Sequence, residues 1–213
     1  MIDQIDGIIW DWNGTLLNDA GLAVRIMNQM LEKRGLPMLS FEEYKSVFTF
    51  PVKDYYLKIG FDFRTEPFEI PALEFIDGYN SHVHSCELHR DTLKVLSFFR
   101  SIGVKQYILS AMEQVVLNNC LKHYQIDDLF NYVSGLDNIY AASKIENGHR
   151  LITELKLDAG KIVLIGDTVH DFEVAKELGC QCVLIANGHQ SKEILQATGV
   201  LVVDQIAQLL DLE

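Results

Sequence analysis

Basic residues are scarce in this chain: 18 Lys and Arg stand against 30 Asp and Glu, a formal charge of −12. Sequence-independent binding to nucleic acid needs a basic surface, so that class of partner is excluded. An anionic membrane surface fits no better. An anionic substrate would need local cations and a metal to overcome the field of the whole protein. Cysteine is sparser still. Cys86, Cys120, Cys180 and Cys182 are spread out with no C-x-x-C pair, which points to reduced, packed thiols rather than a disulfide framework. No apolar run is long enough to span a bilayer, and no basic-then-apolar leader opens the sequence. Repeats, low-complexity tracts and long linkers are missing too. A cytoplasmic protein, monomer or homodimer, is expected.

What is present is ample material for a core: 48% of 213 residues are apolar. The first run, Ile8-Ile9-Trp10, stops at Asp11, and a Gly14-Thr15 turn follows closely. Such a run fits a strand buried on both faces of a parallel sheet, whose carboxyl end is where ligands bind in open α/β folds. From about Asn18 the pattern turns helical, with Leu22, Ile26, Met30 and Met27, Leu31 at i+4 spacing, ending at Gly35-Leu36-Pro37. Ser40 to Glu43 offers a capping box, Pro51 opens a third helix, and a fourth is expected from about Pro71 to His84. Beyond Leu88 strands and helices alternate. Strands are expected at 106–109, 132–134, 161–165, 182–185 and 200–203, with helices between them and a last helix near 205–210. Alternation of this kind implies right-handed crossovers and a doubly wound, Rossmann-like parallel sheet. The fold class is α/β, with a core of residues 1–16 and 87–213 and an all-helical insertion, 17–86, after the first strand.

The chemistry gathers at the ends of strands. Asp11 ends the first, Ser110 the second, and Asp167 and Asp171 follow the run Ile162-Val163-Leu164-Ile165; Lys144 precedes a helix. Carboxylates that converge repel one another unless a cation sits among them. Mg2+ suits such a site, because it takes a few carboxylates, keeps waters and bridges to phosphate oxygens. A Ser hydroxyl, a Lys ammonium and the backbone N–H groups near Gly14 and Thr15 would complete a phosphate cradle. The reaction class is phosphoryl transfer through an aspartyl-phosphate.

These residues carry a resemblance. The sequence resembles the haloacid dehalogenase superfamily, in its phosphoglycolate-phosphatase-like and β-phosphoglucomutase-like branch. The family's D-x-D-x-T stands here as Asp11-Trp12-Asn13-Gly14-Thr15, its strand ending in Ser or Thr as Tyr107-Ile108-Leu109-Ser110-Ala111. Its Lys before a helix is Ser143-Lys144, and its G-D-x-x-x-D is Gly166-Asp167-Thr168-Val169-His170-Asp171. The resemblance implies that Asp11 attacks phosphorus and ligates Mg2+, and that Asn13 lends its backbone carbonyl to the metal. Asp167 would ligate directly, and Asp171 through water or as an orienter. Ser110, Ala111, Lys144, Gly14 and Thr15 would hold the phosphoryl group. The helical insertion would be the family's cap, closing over the site on a small phosphorylated metabolite.

One position departs from the family. Its phosphatases carry a carboxyl two residues after the nucleophile, which protonates the leaving oxygen and then activates water. Here that residue is Asn13, whose carboxamide does neither. General acid–base help is worth about 10²–10⁴ in rate, so binding should survive while turnover suffers. Three readings follow. The chain is a phosphatase with a surrogate acid/base or a leaving group that needs little protonation, such as an acyl or aryl phosphate. It resembles the phosphonoacetaldehyde hydrolases, whose first motif reads D-W-A-G-T and which form an imine with a cap lysine; Lys33, Lys45, Lys53 and Lys58 are candidates, Lys53 foremost. Or it binds a phosphate ligand without turnover. Asn13-Gly14 is also a pair prone to deamidation.

Other groups read more plainly. His82, His84, Cys86 and His89 look like a helix end and a return hinge, not a metal cluster. Tyr44, Phe48, Tyr55 and Tyr56 read as the core of the insertion. His189, beyond a late strand, is a candidate to face the site, and Trp12 could line it or pack.

Overall fold

In the computed structural model, residues 5–136 and 144–211 are described; Ser143 of the third motif lies outside them. The first strand, β1 (Gly7–Trp10), has no exposed side chain. Its alternation sends Ile8 and Trp10 into one hydrophobic layer and Ile9 into the other, as a central parallel strand requires. Trp10 Nε1 donates to Gln106 Oε1 at 3.1 Å, so its indole N–H is not left unpaired.

Two residues, β2 (Leu17–Asn18), then lead into α1 (Ala20–Lys33), α2 (Phe41–Val47), α3 (Val52–Lys58) and α4 (Glu69–His82). The face of α1 that the i+4 spacing predicts is the face it buries: Leu22, Ile26, Met27, Met30 and Leu31. Arg34, just past the end of α1, pairs with Glu74 of α4 at 2.8 Å and with Glu66, before α4, at 2.7 Å. The capping box on α2 forms, with Ser40 N donating to Glu43 Oε2 at 2.7 Å and Glu43 N to Ser40 Oγ at 3.2 Å. The four-helix segment is closed by β3 (Glu87–Leu88), which pairs antiparallel with β2, Leu17 opposite Leu88. This two-residue ladder ties entry and exit together and carries no sequence pattern of its own.

The remaining elements are α5 (Thr92–Ser101), β4 (Lys105–Glu113), α6 (Gln114–His123), β5 (Tyr132–Leu136), α7 (Lys144–Glu154), β6 (Ile162–Gly166), α8 (Val169–Leu178), β7 (Gln181–Ile185), α9 (Lys192–Gln196) and β8 (Leu201–Val203). Among the described residues they build one six-stranded sheet, in the order β5-β4-β1-β6-β7-β8. All five pairings are parallel. The order reverses beside β1, which places the carboxyl ends of β1, β4 and β6 around one crevice.

Two expectations are corrected. The strand expected to stop at Ser110 continues to Glu113, through a register shift between Leu109 and Glu113. There the Ser110 hydroxyl accepts from Met112 N at 3.0 Å, bending the strand without ending it. The segment expected as a helix at 205–210 is a 3-10 turn, Ile206–Asp211.

Candidate active site

The nucleophile loop is held by a left-handed glycine. Gly14 adopts φ +73°, and a Cβ there would overlap Asp167 Oδ2 and His189 Cδ2. Only glycine allows β1's exit loop to press this closely on the loop after β6. Gly188 does the same from the β7 side, where a Cβ would overlap the Asp167 carboxylate. Thr15, fully buried, donates its hydroxyl to Asp167 Oδ1 at 2.9 Å. His189 N donates to Asp167 Oδ2 at 2.6 Å.

Asp11, Asp167 and Asp171 are all buried, with oxygens within 4.8 Å of one another. Lys144, at the start of α7, bonds Asp11 Oδ1 and Asp171 Oδ1, both at 2.5 Å. The other oxygen of Asp171 accepts from Thr168 N at 3.0 Å and from the Thr168 hydroxyl at 2.7 Å, holding the start of α8. Burial pushes the Asp11 and Asp167 carboxyls above their usual range, with Lys144 opposing at Asp11 and His189 at Asp167. Burial also bears on Asp171, but the Lys144 ammonium and the Thr168 bonds outweigh it and hold that carboxyl low. Three carboxylates against one ammonium leave an uncompensated negative charge among hard oxygen donors. That donor set fits a divalent cation such as Mg2+.

Next to the carboxylates lies a second buried network. Asn13 Nδ2 donates to Asp19 Oδ2 at 2.8 Å and to Tyr79 Oη at 2.7 Å. Gly14 N donates to Asp19 Oδ1 at 2.7 Å, and Tyr79 Oη donates to Asp19 Oδ2 at 2.6 Å. His189 Nε2 lies 3.2 Å from Asp19 Oδ1, and its Nδ1 lies 2.7 Å from Tyr44 Oη. Burial would discharge His189, but Asp19 dominates and raises the imidazole to about 9. The same pairing, with bonds from Tyr79 and Asn13, overcomes burial and lowers Asp19.

A cavity of about 280 Å3 opens above both networks. Asp11, Asn13, Ala111, Lys144, Asp167 and Asp171 line it, so most of the residues that the motifs single out meet there. Gly14, Thr15 and Ser110 stand behind them. The Gly14 N–H is engaged by Asp19, Thr15 by Asp167, and the fully buried Ser110 hydroxyl donates to Asn13 Oδ1 at 3.4 Å. Lys53 is elsewhere: it is exposed, its ammonium 5.7 Å from the Phe63 ring centre. Lys33 pairs with Glu74, and Lys45 donates to Ala186 O at 3.0 Å. Tyr44 and Phe48 line the cavity as well as packing in the helical segment, because α2 docks on the loop after β7. Gln190 Nε2 donates to Phe48 O at 2.9 Å in the same contact. Trp12 packs fully buried against Tyr124. His89 turns to the nucleophile loop and bonds Gly14 O at 3.0 Å, while His84 rests on His123.

Asp19 and Tyr79 have no counterpart in the sequence reading. Asp19 precedes α1 and looks like an N-cap, yet its side chain makes no cap bond. Tyr79 is one aromatic among many on a helix. The available signal was Asp19's proximity to Asn13, six residues away along the chain.

With this geometry in hand, comparison with known proteins is direct. The sequence profile of the haloacid dehalogenase-like hydrolases matches residues 8–185. The chain belongs to that family. It is 22% identical over 205 residues to the phosphoglycolate phosphatase of Neisseria gonorrhoeae, covering 91% of this chain and 85% of that one. Its fold is similar to that of a protein of Bacteroides fragilis described as haloacid dehalogenase-like hydrolase, with a TM-score of 0.84, 18% identity, and 96% and 99% of the two chains covered. The protein tyrosine kinase A (PtkA) structure of Mycobacterium tuberculosis is similar too, with a TM-score of 0.82, 19% identity and 98% of each chain covered. At these identities the likeness of the structures establishes the fold, and the chemistry must be argued from the site.

Proposed function

We propose that this haloacid dehalogenase-like hydrolase is a Mg2+-dependent phosphatase of small phosphorylated metabolites, working through an aspartyl-phosphate on Asp11. One observation carries this reading: Asp11, Asp167, Asp171 and Lys144 converge on the floor of one cavity. The relatives named phosphoglycolate phosphatase support it. When bound, Mg2+ would offset the charge of the phosphoryl oxygens and of the carboxylates around it. Asp167, Asp11 and the Asn13 carbonyl would hold it, with Asp171 a ligand or an orienter.

Asp11 Oδ attacks phosphorus as the ester P–O bond breaks and the leaving oxygen takes the bonding pair. Water then attacks the same phosphorus, the P–Oδ bond breaks, and phosphate is released. Lys144 opposes the effect of burial on Asp11, favouring the ionised carboxylate, and holds a phosphoryl oxygen. Ser110 and Thr15 act one step back, through Asn13 and Asp167. Residues 17–86 act as a cap on the core of 1–16 and 87–213, with α2 closing the cavity.

A panel of phosphorylated metabolites, assayed with Mg2+ against the protein, Asp11→Ala and Asn13→Asp, tests this reading. Turnover that Asp11→Ala abolishes is expected; none on any substrate would sink it. A second reading, ligand binding without turnover, is favoured by the Asn13 carboxamide alone. Saturable phosphate binding without Asp11-dependent hydrolysis would select it. An imine route is not supported, since among the described residues Lys144 is the only lysine on the cavity and its ammonium is bonded to two carboxylates.

A further inference from the structure

Resting on the phosphatase reading above, we infer that the ester this site turns over is a small aryl phosphate whose aryl group carries no charge. Two independent features point to it, one chemical and one steric.

The first is that, among the described residues, no free acid stands beside Asn13. Asn13 cannot give up a proton. The proton-bearing side chains around it are bonded to one another. His189 lies between Tyr44 and Asp19, and Tyr79 donates to Asp19. An alcohol leaving as alkoxide must reach a basicity near that of hydroxide, with water at about 15.7, whereas a phenol ionises near 10. The lost acid therefore matters far less for a phenolic leaving group than for an alkoxide. In the first step Asp11 Oδ bonds phosphorus, the P–O(aryl) bond breaks, and the phenolate leaves with the pair and takes its proton from solvent. Water then displaces the carboxylate from phosphorus, delivering inorganic phosphate and a proton to solvent.

The second feature is the wall of the cavity. Beyond the phosphoryl end it is lined by Phe48, Phe50, Val52, Phe75, Met112 and Leu136. Lys144 is the only lysine or arginine among its described lining residues, and it belongs to the phosphoryl end. Residues 137–143, between Leu136 and Lys144, read Asp-Asn-Ile-Tyr-Ala-Ala-Ser and carry no such residue either. His170 is stacked on Phe50 at 4.8 Å and paired with Glu173 at 3.3 Å. Glu113, also on the wall, is an acid. The His189 imidazole, also on the lining, is paired with Asp19 at 3.2 Å, so a second carboxylate on the substrate, as in phosphoglycolate, would find no unpaired cation among the described lining residues and would lose its water among aromatic rings. A ring would find offset and edge-on partners. The volume, about 280 Å3, is at the small end of ligand pockets and suits one ring.

The test compares phenyl phosphate, benzyl phosphate and phosphoglycolate, with a phosphotyrosyl peptide as a fourth substrate. Benzyl phosphate keeps the ring but leaves as an alkoxide; phosphoglycolate leaves as an alkoxide and adds the carboxylate. With Mg2+, kcat/KM for phenyl phosphate should exceed that for benzyl phosphate by about 100-fold or more, the usual scale of a missing general acid. Benzylphosphonate should compete more tightly than phosphonoacetate, read as a thermal shift. Asn13→Asp should narrow the phenyl-to-benzyl ratio to about tenfold by raising the benzyl rate. That variant sets two carboxylates against each other at Asp19, so the exchange Asn13→Asp with Asp19→Asn, which keeps an amide–carboxylate pair, is run beside it. Equal rates on phenyl and benzyl phosphate, or a preference for phosphoglycolate, would overturn the inference and leave the phosphatase reading intact. Faster turnover of the peptide would overturn its small-molecule part. Loss of every activity, with none removable by Asp11→Ala, would instead count against the phosphatase reading itself.

Discussion

Asp19 accepts a hydrogen bond from the carboxamide of Asn13 at 2.8 Å, so a carboxylate lies beside the position where the family's acid/base stands. It is not a free acid there. The same carboxylate takes the Gly14 N–H, the Tyr79 hydroxyl and the His189 imidazole, and so fixes the loop that carries Asp11. Removing one partner of a buried, hydrogen-bonded charge pair costs about 3–5 kcal/mol. Asp19→Ala should destabilise the protein on that scale in urea unfolding. Asp19→Asn, which keeps an acceptor for Gly14, should cost clearly less. Equal losses would mean that Asp19 only fills space.

The pair also predicts how stability changes with pH in the metal-free protein. His189 is raised from 6.5 to about 9, so its contribution is fully present below about 6.5 and is lost as pH rises through about 9. Asp19 is lowered from 3.8, so its contribution is present above that value and lost as pH falls further. The burial-raised carboxyls count against the folded state as pH climbs above 3.8, Asp167 up to about 6 and Asp11 up to about 8, so of the two it is Asp11 that adds to the loss above pH 6.5. With EDTA present, the melting temperature should fall between pH 6.5 and 9, by the equivalent of at most about 3 kcal/mol for His189. His189→Gln should flatten that slope.

Mg2+ should reverse part of the loss. A ligand held only by the folded state stabilises by about 2.7 kcal/mol at 100 times its dissociation constant. Titrating Mg2+ into EDTA-treated, exchanged protein should raise the melting temperature saturably. Asp167→Asn should remove the rise while remaining folded, because the carboxamide oxygen still accepts from His189 N and the Thr15 hydroxyl can rotate to accept from the NH2 group. A rise that survives this change would place the cation elsewhere.

Much of this architecture was legible because it rests on local rules. Ile8 to Trp10 are apolar on both faces, and a strand with that pattern belongs in the centre of a parallel sheet. The α1 face and the α2 capping box follow from spacing alone. The four motifs are ordered along the chain, and strand order brings them together. What could not be read was set by tertiary contact. The loop after β7 meets α2 through Tyr44 and His189, a pairing 145 residues apart. Ser110 and Gly14 sit at motif positions, yet the structure turns both toward their neighbours rather than the cavity. The two-residue strands β2 and β3 are too short to carry a period.

Lys53 provides a sharp negative test. Its neighbours in sequence, a proline and the start of a helix, make it stand out among lysines. In the structure it is exposed over Phe63 and Phe68, away from the cavity. Lys53→Ala should keep kcat/KM on any Asp11-dependent substrate within about twofold, as for surface changes generally. Borohydride with an aldehyde substrate should trap no adduct at this residue. A trapped adduct at Lys53 would show that the helical segment reaches the site in another arrangement.

The Asn13 carboxamide sets the order of rates within a turnover. Formation of the aspartyl-phosphate needs Asp11 and a competent leaving group, but its hydrolysis needs water made nucleophilic, and among the described residues no free base lines that side of Asp11. The second step should therefore be slowed more than the first for any donor with a good leaving group. Loss of general-base help amounts to about 10²–10⁴. Acid-quenched protein mixed with Mg2+ and 4-nitrophenyl phosphate should carry phosphate on Asp11, recovered as homoserine at that position after borohydride reduction. The exchange Asn13→Asp with Asp19→Asn should lower its steady-state level by restoring a carboxyl next to the attacking water. If the level does not change while turnover rises, the base that limits the second step lies outside this loop.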